Sequence, residues 1–472
     1  MRAPFRVAPA SGSAGWRHRD WVVDSRPAAC NPLRMKPVFP SLALAAIATL
    51  AAADLPAPVT DADYLPIDRA EAELGQLLFY DPILSGNRTV SCATCHHPAL
   101  ATADGVALSL GDGGVGLGQS RRADPENLPE QRIPRNAPAL FNLGAREFTV
   151  MFHDGRIEVD PAQPGGMRSP LGEDQTRGFA SVLSLQTMFP VLSADEMAGH
   201  YGENEISKLV RAGRITGENG AWAAISHRVA ALPDYVQRFQ AVYPHVTAPE
   251  DIAFTDISNA IAAFIAFEWR SDQSPFDAAL RGAGDLPEMA AAGRDLFYGK
   301  ARCAECHSGK FQTDHGFHAM AAPQIGPGKA ARFESHARDE GRMRVTGRAE
   351  DAFAFRTPSL RNVTETAPYG HAGAHATLAG FLRDHVEPGG NLDSFDAAQV
   401  RLPELPVEDF RILSDTAEID AIKAAKGFAV DLTDTDLQQI EAFLAALTDP
   451  EALAGRLGVP DSVPSGLPVD RP

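Results

Sequence analysis

Apolar positions recur at helical spacing in several stretches of this chain. Nowhere do they alternate long enough to mark a strand. Asp68 to Tyr80 reads as a helix with Asp68 as its N-cap and Leu74, Leu77 and Leu78 on one side. Thr255 to Trp269 carries Ile257, Ile261, Phe264, Ile265 and Glu268 and predicts a strongly amphipathic helix. Met289 to Phe297 predicts another. Leu432 to Leu447, with Leu437, Ile440, Leu444 and Leu447, predicts the last. Gly, Pro and charged residues fill 101–135, and Gly and His fill 308–350, so both read as loops. Ser271 to Leu286 is polar and holds Pro275, which marks a linker between two halves. The pattern predicts a mainly α protein with long loops.

The N-terminus has a different character. Met35-Lys36 starts a short basic segment, Val38 to Leu50 is apolar, and Ala51-Ala52-Ala53 offers a small-x-small cleavage site. This predicts a secretory leader, with Met35 as the true start and residues 1–53 removed. The apolar run is short for a membrane span, and an uncleaved anchor is the alternative. The expected organisation is 54–275, 285–450 and an irregular tail over 451–472. The 472 residues carry 43 Lys/Arg and 61 Asp/Glu, a net charge of −18. Loss of 1–53, with its seven basic and two acidic residues, leaves 36 and 59, a net of −23. Such a surface repels nucleic acid and favours a basic partner.

Cysteine supplies the sharpest signal. Of five, Cys30 leaves with the leader. The other four form Cys92-Ala93-Thr94-Cys95-His96 and Cys303-Ala304-Glu305-Cys306-His307. This spacing lets two thiols bond the vinyl groups of one porphyrin while the His ligates its iron. Zinc would call for four ligands per cluster, usually a second Cys pair, and each unit here stands alone. Two covalent c-type haems are therefore expected, on His96 and His307.

Around these units the chain resembles the bacterial di-haem cytochrome c peroxidase family, including the MauG-type enzymes. The likeness rests on LGQLLFYDPILSGNRTVSCATCHHP (74–98), Arg135-Asn136-Ala137-Pro138, the stretch 263–303, and FRTPSLRNVTETAPYGHAG (355–373). It implies a periplasmic enzyme of two cytochrome c-like domains, in which one haem meets hydrogen peroxide and the other handles electrons. In SLQTMFPVLSADEM the resemblance implies Glu196 as general acid–base, Gln186 as a hydrogen-bond donor, and Pro190 over the iron without ligating it. Taken alone, Glu196 would read as a solvated residue of a helix turn.

Three departures from the family pattern matter. No His lies between His97 and Arg135, where many members carry a distal ligand, so the first haem is expected to be open at rest. Where members place a Met or Tyr at the second haem, this chain has His385, and no Met follows Met343. His385 is therefore the expected sixth ligand, with His371 the runner-up and a surface histidine the plain alternative. Replacing Met by His would lower that haem's potential. The family's Phe-Trp-Asp-Gly-Arg is Phe152-His153-Asp154-Gly155-Arg156 here. The relay falls either to His153, which could instead bridge propionates, or to Trp269, which also reads as a packing residue. The resemblance further implies a calcium ion at Asn136, Thr366 and Pro368, whose oxygens suit that ion.

The activity implied is reduction of hydrogen peroxide with electrons from a small cytochrome c or copper protein. The alternatives are a MauG-type oxidase acting on a partner protein and a non-catalytic electron carrier. A homodimer is compatible with the resemblance, and no stable membrane span is expected.

Overall fold

The computed structural model describes residues 54–329, 334–425 and 427–472. The leader expected over 1–53, with Cys30 and Met35, lies outside the described residues. The rest is largely helical. Its helices are α1 (Arg69–Tyr80), α2 (Val182–Leu192), α3 (Glu205–Arg211), α4 (Ala221–Ala230), α5 (Pro233–Val242), α6 (Phe254–Glu268), α7 (Pro275–Leu280), α8 (Glu288–Phe297), α9 (Met343–Thr346), α10 (Leu378–Val386), α11 (Thr416–Ala424), α12 (Asp434–Ala445) and α13 (Pro450–Ala454). Strand is confined, among the described residues, to three small antiparallel sheets whose strands are two or three residues long. None of the described helices is long and apolar enough to cross a membrane.

The four predicted helices form close to their expected bounds. Asp68 caps α1 by accepting from the N–H groups of Ala70 and Glu71. Thr433 caps α12 by accepting from Asp436 N–H. Each half is organised by one close helix crossing. In the first, α1 lies on α6, and a Cβ at Gly75 would run into the carbonyl of Ala260. In the second, α8 lies on α12, and a Cβ at Gly293 would run into the carbonyl of Gln439. Around the first crossing, Leu74, Leu78, Phe79, Ile257, Ile261 and Phe264 join α4 and α5 in a large core. Around the second, Phe297, Tyr298, Ile440, Phe443 and Leu444 form a smaller one with Phe276.

The polar segment expected to be a linker is turned inward. Ser271, Ser274 and Asp277 have no exposed surface. Asp277 accepts from Ser274 and pairs with buried Arg361, while Asp449 accepts from the N–H groups of Asp272 and Gln273. Polar residues can be buried here because their partners are internal.

The tail also has a fixed course. Glu268 accepts from the N–H groups of Leu457 and Gly458, and Ser465 donates to Asp81 at 2.6 Å. Val463 is buried in the first core, and Asp470 accepts from Thr94 at 2.5 Å. The last residues thus strap the first half, down to the turn between Cys92 and Cys95.

Candidate functional site

The two Cys-x-x-Cys-His units share one cavity of about 660 Å³. Each unit forms a tight helical turn, Cys92–Thr94 and Cys303–Glu305, followed by its histidine. The Nδ1 atom of His96 lies 2.9 Å from the Thr102 carbonyl, and that of His307 lies 3.1 Å from the Gln312 carbonyl. A carbonyl can only accept, so both Nδ1 atoms carry the proton and both Nε2 lone pairs are free for a metal. Burial holds both imidazoles below their ordinary pKa, hence neutral and able to ligate. Among the described residues the one group of three metal-ligand side chains in mutual reach is Cys306, Asp314 and His318. It leaves out His307 and gives the first unit nothing, so the donor sets fit haem better than zinc.

At the second unit the His385 ring faces that of His307, with centroids 6.2 Å apart. Two imidazoles on opposite faces of one iron would stand about 6 Å apart, from two bonds of about 2 Å and two half-rings of about 1 Å. Helix α10, capped by Thr377, carries His385, and Phe381 stacks on its ring at 5.1 Å. Burial, with His307 and His375 nearby, lowers the His385 pKa to about 4. His371 stacks on Phe355 at 3.8 Å instead. Its Nε2 is buried without a hydrogen-bond partner.

No ring pairs with His96 in this way among the described residues. The same cavity is lined by Gln186 and Pro190 from α2, and by Glu196 from the turn that follows. That turn is π-helical, Ala194–Ala198, with Ala198 N–H donating to the Ser193 carbonyl. Such turns re-aim single side chains. Gly111 presses against its backbone, where a Cβ would meet the carbonyls of Asp195 and Glu196, and Asp112 N–H donates to the Glu196 carbonyl at 2.9 Å. Glu196 lies near enough to Cys95 to help raise that thiol, which burial and nearby charges hold at about 11. The Gln186 Oε1 is buried without a partner.

His153 lines the same cavity, held well below its ordinary pKa by burial and by Arg135, His371 and Arg356. Arg135 binds Asp339 at 2.6 Å and Asp154 at 2.7 Å, all three buried. Burial alone would raise the Asp339 carboxyl, and Arg135 overrides it and holds it far below the carboxylate range. Trp269 is not brought to the cavity. It is fully buried among Phe79 and Phe264, at 5.3 and 5.1 Å, in the first core. Asn136 Nδ2 donates to the Pro368 carbonyl at 2.7 Å, and its Oδ1 is buried and unpartnered. Thr366 lines the same cavity.

Sequence reasoning named His153 but not its charged surroundings. Asp154 and Arg156 lie in the stretch 152–156 and Arg356 in 355–373, where their charge is the signal that marks them. Lys329, which also lines the cavity, sits in a Gly-rich loop with no pattern to mark it.

The chain is similar to several known proteins. The sequence profile of the family described as di-haem cytochrome c peroxidase matches residues 69–285. The chain is 30% identical over 329 residues to the methylamine utilization protein MauG of Methylorubrum extorquens, covering 69% of this chain and 70% of that one. It is 29% identical to the cytochrome c551 peroxidase of Pseudomonas aeruginosa, over 68% of this chain and 72% of that one. The crystal structure of a MauG-like protein associated with microbial copper homeostasis superposes with a TM-score of 0.55 at 28% identity. That match covers 86% of this chain and 95% of the other.

Proposed function

The chain belongs to the di-haem cytochrome c peroxidase family, and from that premise we propose that it is a periplasmic peroxidase with one open and one closed haem. The observation that carries this reading is the inequality of the two histidines. His307 faces a second imidazole, and His96 shares its cavity with Gln186, Pro190 and Glu196.

Attached at the two Cys pairs, the haems would supply an iron that reacts with hydrogen peroxide and a second that passes electrons to it. His96 and His307 would hold them through Nε2. His385 would close the second. Pro190, which offers no ligand atom, would leave the first open. The Glu196 carboxylate would move a proton from one peroxide oxygen to the other, and two electrons with two further protons complete the reduction of both oxygens to water. The Gln186 amide N–H orients the peroxide. Asn136 Oδ1, with the carbonyls of Thr366 and Pro368, suits a calcium ion between the halves. The acidic surface favours a basic donor, a small cytochrome c or copper protein.

A second reading, a MauG-type oxidase of a partner protein, is favoured by His385 in place of Met. Turnover of peroxide with reduced cytochrome c separates the possibilities. Fast turnover is expected, together with an EPR spectrum of one high-spin and one low-spin ferric haem. Slow turnover with a long-lived oxidised state would favour the oxidase, and no reaction would leave an electron carrier. Glu196→Gln should lower turnover by roughly 10²- to 10⁴-fold with both haems still attached.

A further inference from the structure

Six Lys and Arg side chains line the shared cavity, and two of them lack a carboxylate partner among the described residues. Arg135 binds Asp154 and Asp339, Arg156 lies 3.2 Å from Asp154, Arg302 binds Glu305, and Arg361 binds Asp277. The Arg356 guanidinium donates, among the described residues, only to the carbonyls of Phe152 and Thr357. Lys329 makes no hydrogen bond or ion pair among the described residues, although Glu196 and Asp154 lie near enough to be felt by its charge.

The position of Lys329 is built by the fold. It follows a segment of the second half that packs on the first. Ile325 is buried with Ala107 and Leu108, Gly326 N–H donates to the Asp409 carbonyl at 2.6 Å, and Gln324 exchanges two hydrogen bonds with the backbone of Asp339. Gly328, at φ +76°, turns the chain where a Cβ would strike the backbone of Ala337. The turn delivers Lys329 to the side of the cavity that holds Glu196 and Arg156.

There its amine is pulled down to about 8, by burial first and then by Arg156 and Arg135. Asp154 is already engaged by both arginines, and Glu196 has the proton-transfer role. An ammonium half-buried beside two guanidiniums is costly unless an anion joins it. The haem expected at Cys92 and Cys95 brings two carboxylates.

We propose that Lys329, carried by the second half, binds a propionate of the first haem and thereby raises that haem's reduction potential from across the seam. This rests on the reading of Cys92 to His96 as a haem-attachment unit. A nearby positive charge opposes the extra positive charge of ferric iron and so favours reduction.

The test uses the mature holoprotein. Haem is first counted per chain by mass. A chain without haem at Cys92 and Cys95 would sink the underlying reading and this proposal with it. With two haems present, spectroelectrochemical titration follows each haem by its own bands. Lys329→Met and Lys329→Gln should lower the first haem's midpoint potential, leave the second's unchanged, and shift the first haem's propionate bending mode in resonance Raman. Lys329→Arg should restore both. An unchanged first-haem potential and propionate mode in the Met variant would overturn the proposal. So would a first haem that changes from low-spin to high-spin in that variant, because the amine would then be an iron ligand.

Discussion

At the scale of single residues, the site is held by charges that neutralise one another inside the protein. Asp339 shows this most directly. Its folded pKa lies below its ordinary value of 3.8, through Arg135. It therefore contributes stability that is fully present above about pH 4, its unfolded value, and is lost as pH falls through the lower folded value. Asp339→Asn should cost about 3 kcal/mol at pH 7, and less as the pH falls below 4. Urea unfolding of wild type and variant between pH 7 and pH 3 measures it. Parallel curves at all pH values would contradict the account. His153 was legible as a departure from a motif. Its neutral state was not, because that depends on Arg135 and Arg356, which the fold brings in from 18 positions before it and about 200 after it.

At the scale of elements, the two helix crossings depend on the absence of a side chain at one position each. Gly75→Ala should disturb the first half and Gly293→Ala the second, because the neighbour is backbone and cannot swing away. Each should cost about 2–3 kcal/mol, read by thermal unfolding. Near-native stability of either variant would show that the helices separate freely. The four helices flanking the crossings were readable from their caps and apolar spacing. The π-helical turn that carries Glu196 was not, because its shape depends on Gly111 and Asp112 pressing from a loop some 85 positions earlier. The burial of the segment at Ser271–Asp277 was not legible for a related reason. Composition reports that residues are polar, not that Arg361 and Asp449 lie waiting for them.

At the scale of the whole molecule, the halves are joined by more than a covalent connection. Arg132 meets Asp409 at 2.7 Å and Arg135 meets Asp339 across the seam, and the C-terminal strap returns to the first core. Removing residues 456–472 should destabilise the first half by about 3–5 kcal/mol, because Asp81 and Glu268 are left buried without those partners. Calorimetry should show the first half melting earlier while the second is little changed. A single unshifted transition would mean that the strap is decorative.

The strap has a consequence for the order in which the molecule is made. Thr94 and Asp470 stand 376 positions apart along the chain. A ribosome must therefore complete nearly the whole polypeptide before the Cys92–Cys95 turn can be covered. Throughout that interval the turn and its two thiols stay uncovered. The second unit, made some 210 positions later, also needs α12, but its own uncovered interval is the shorter.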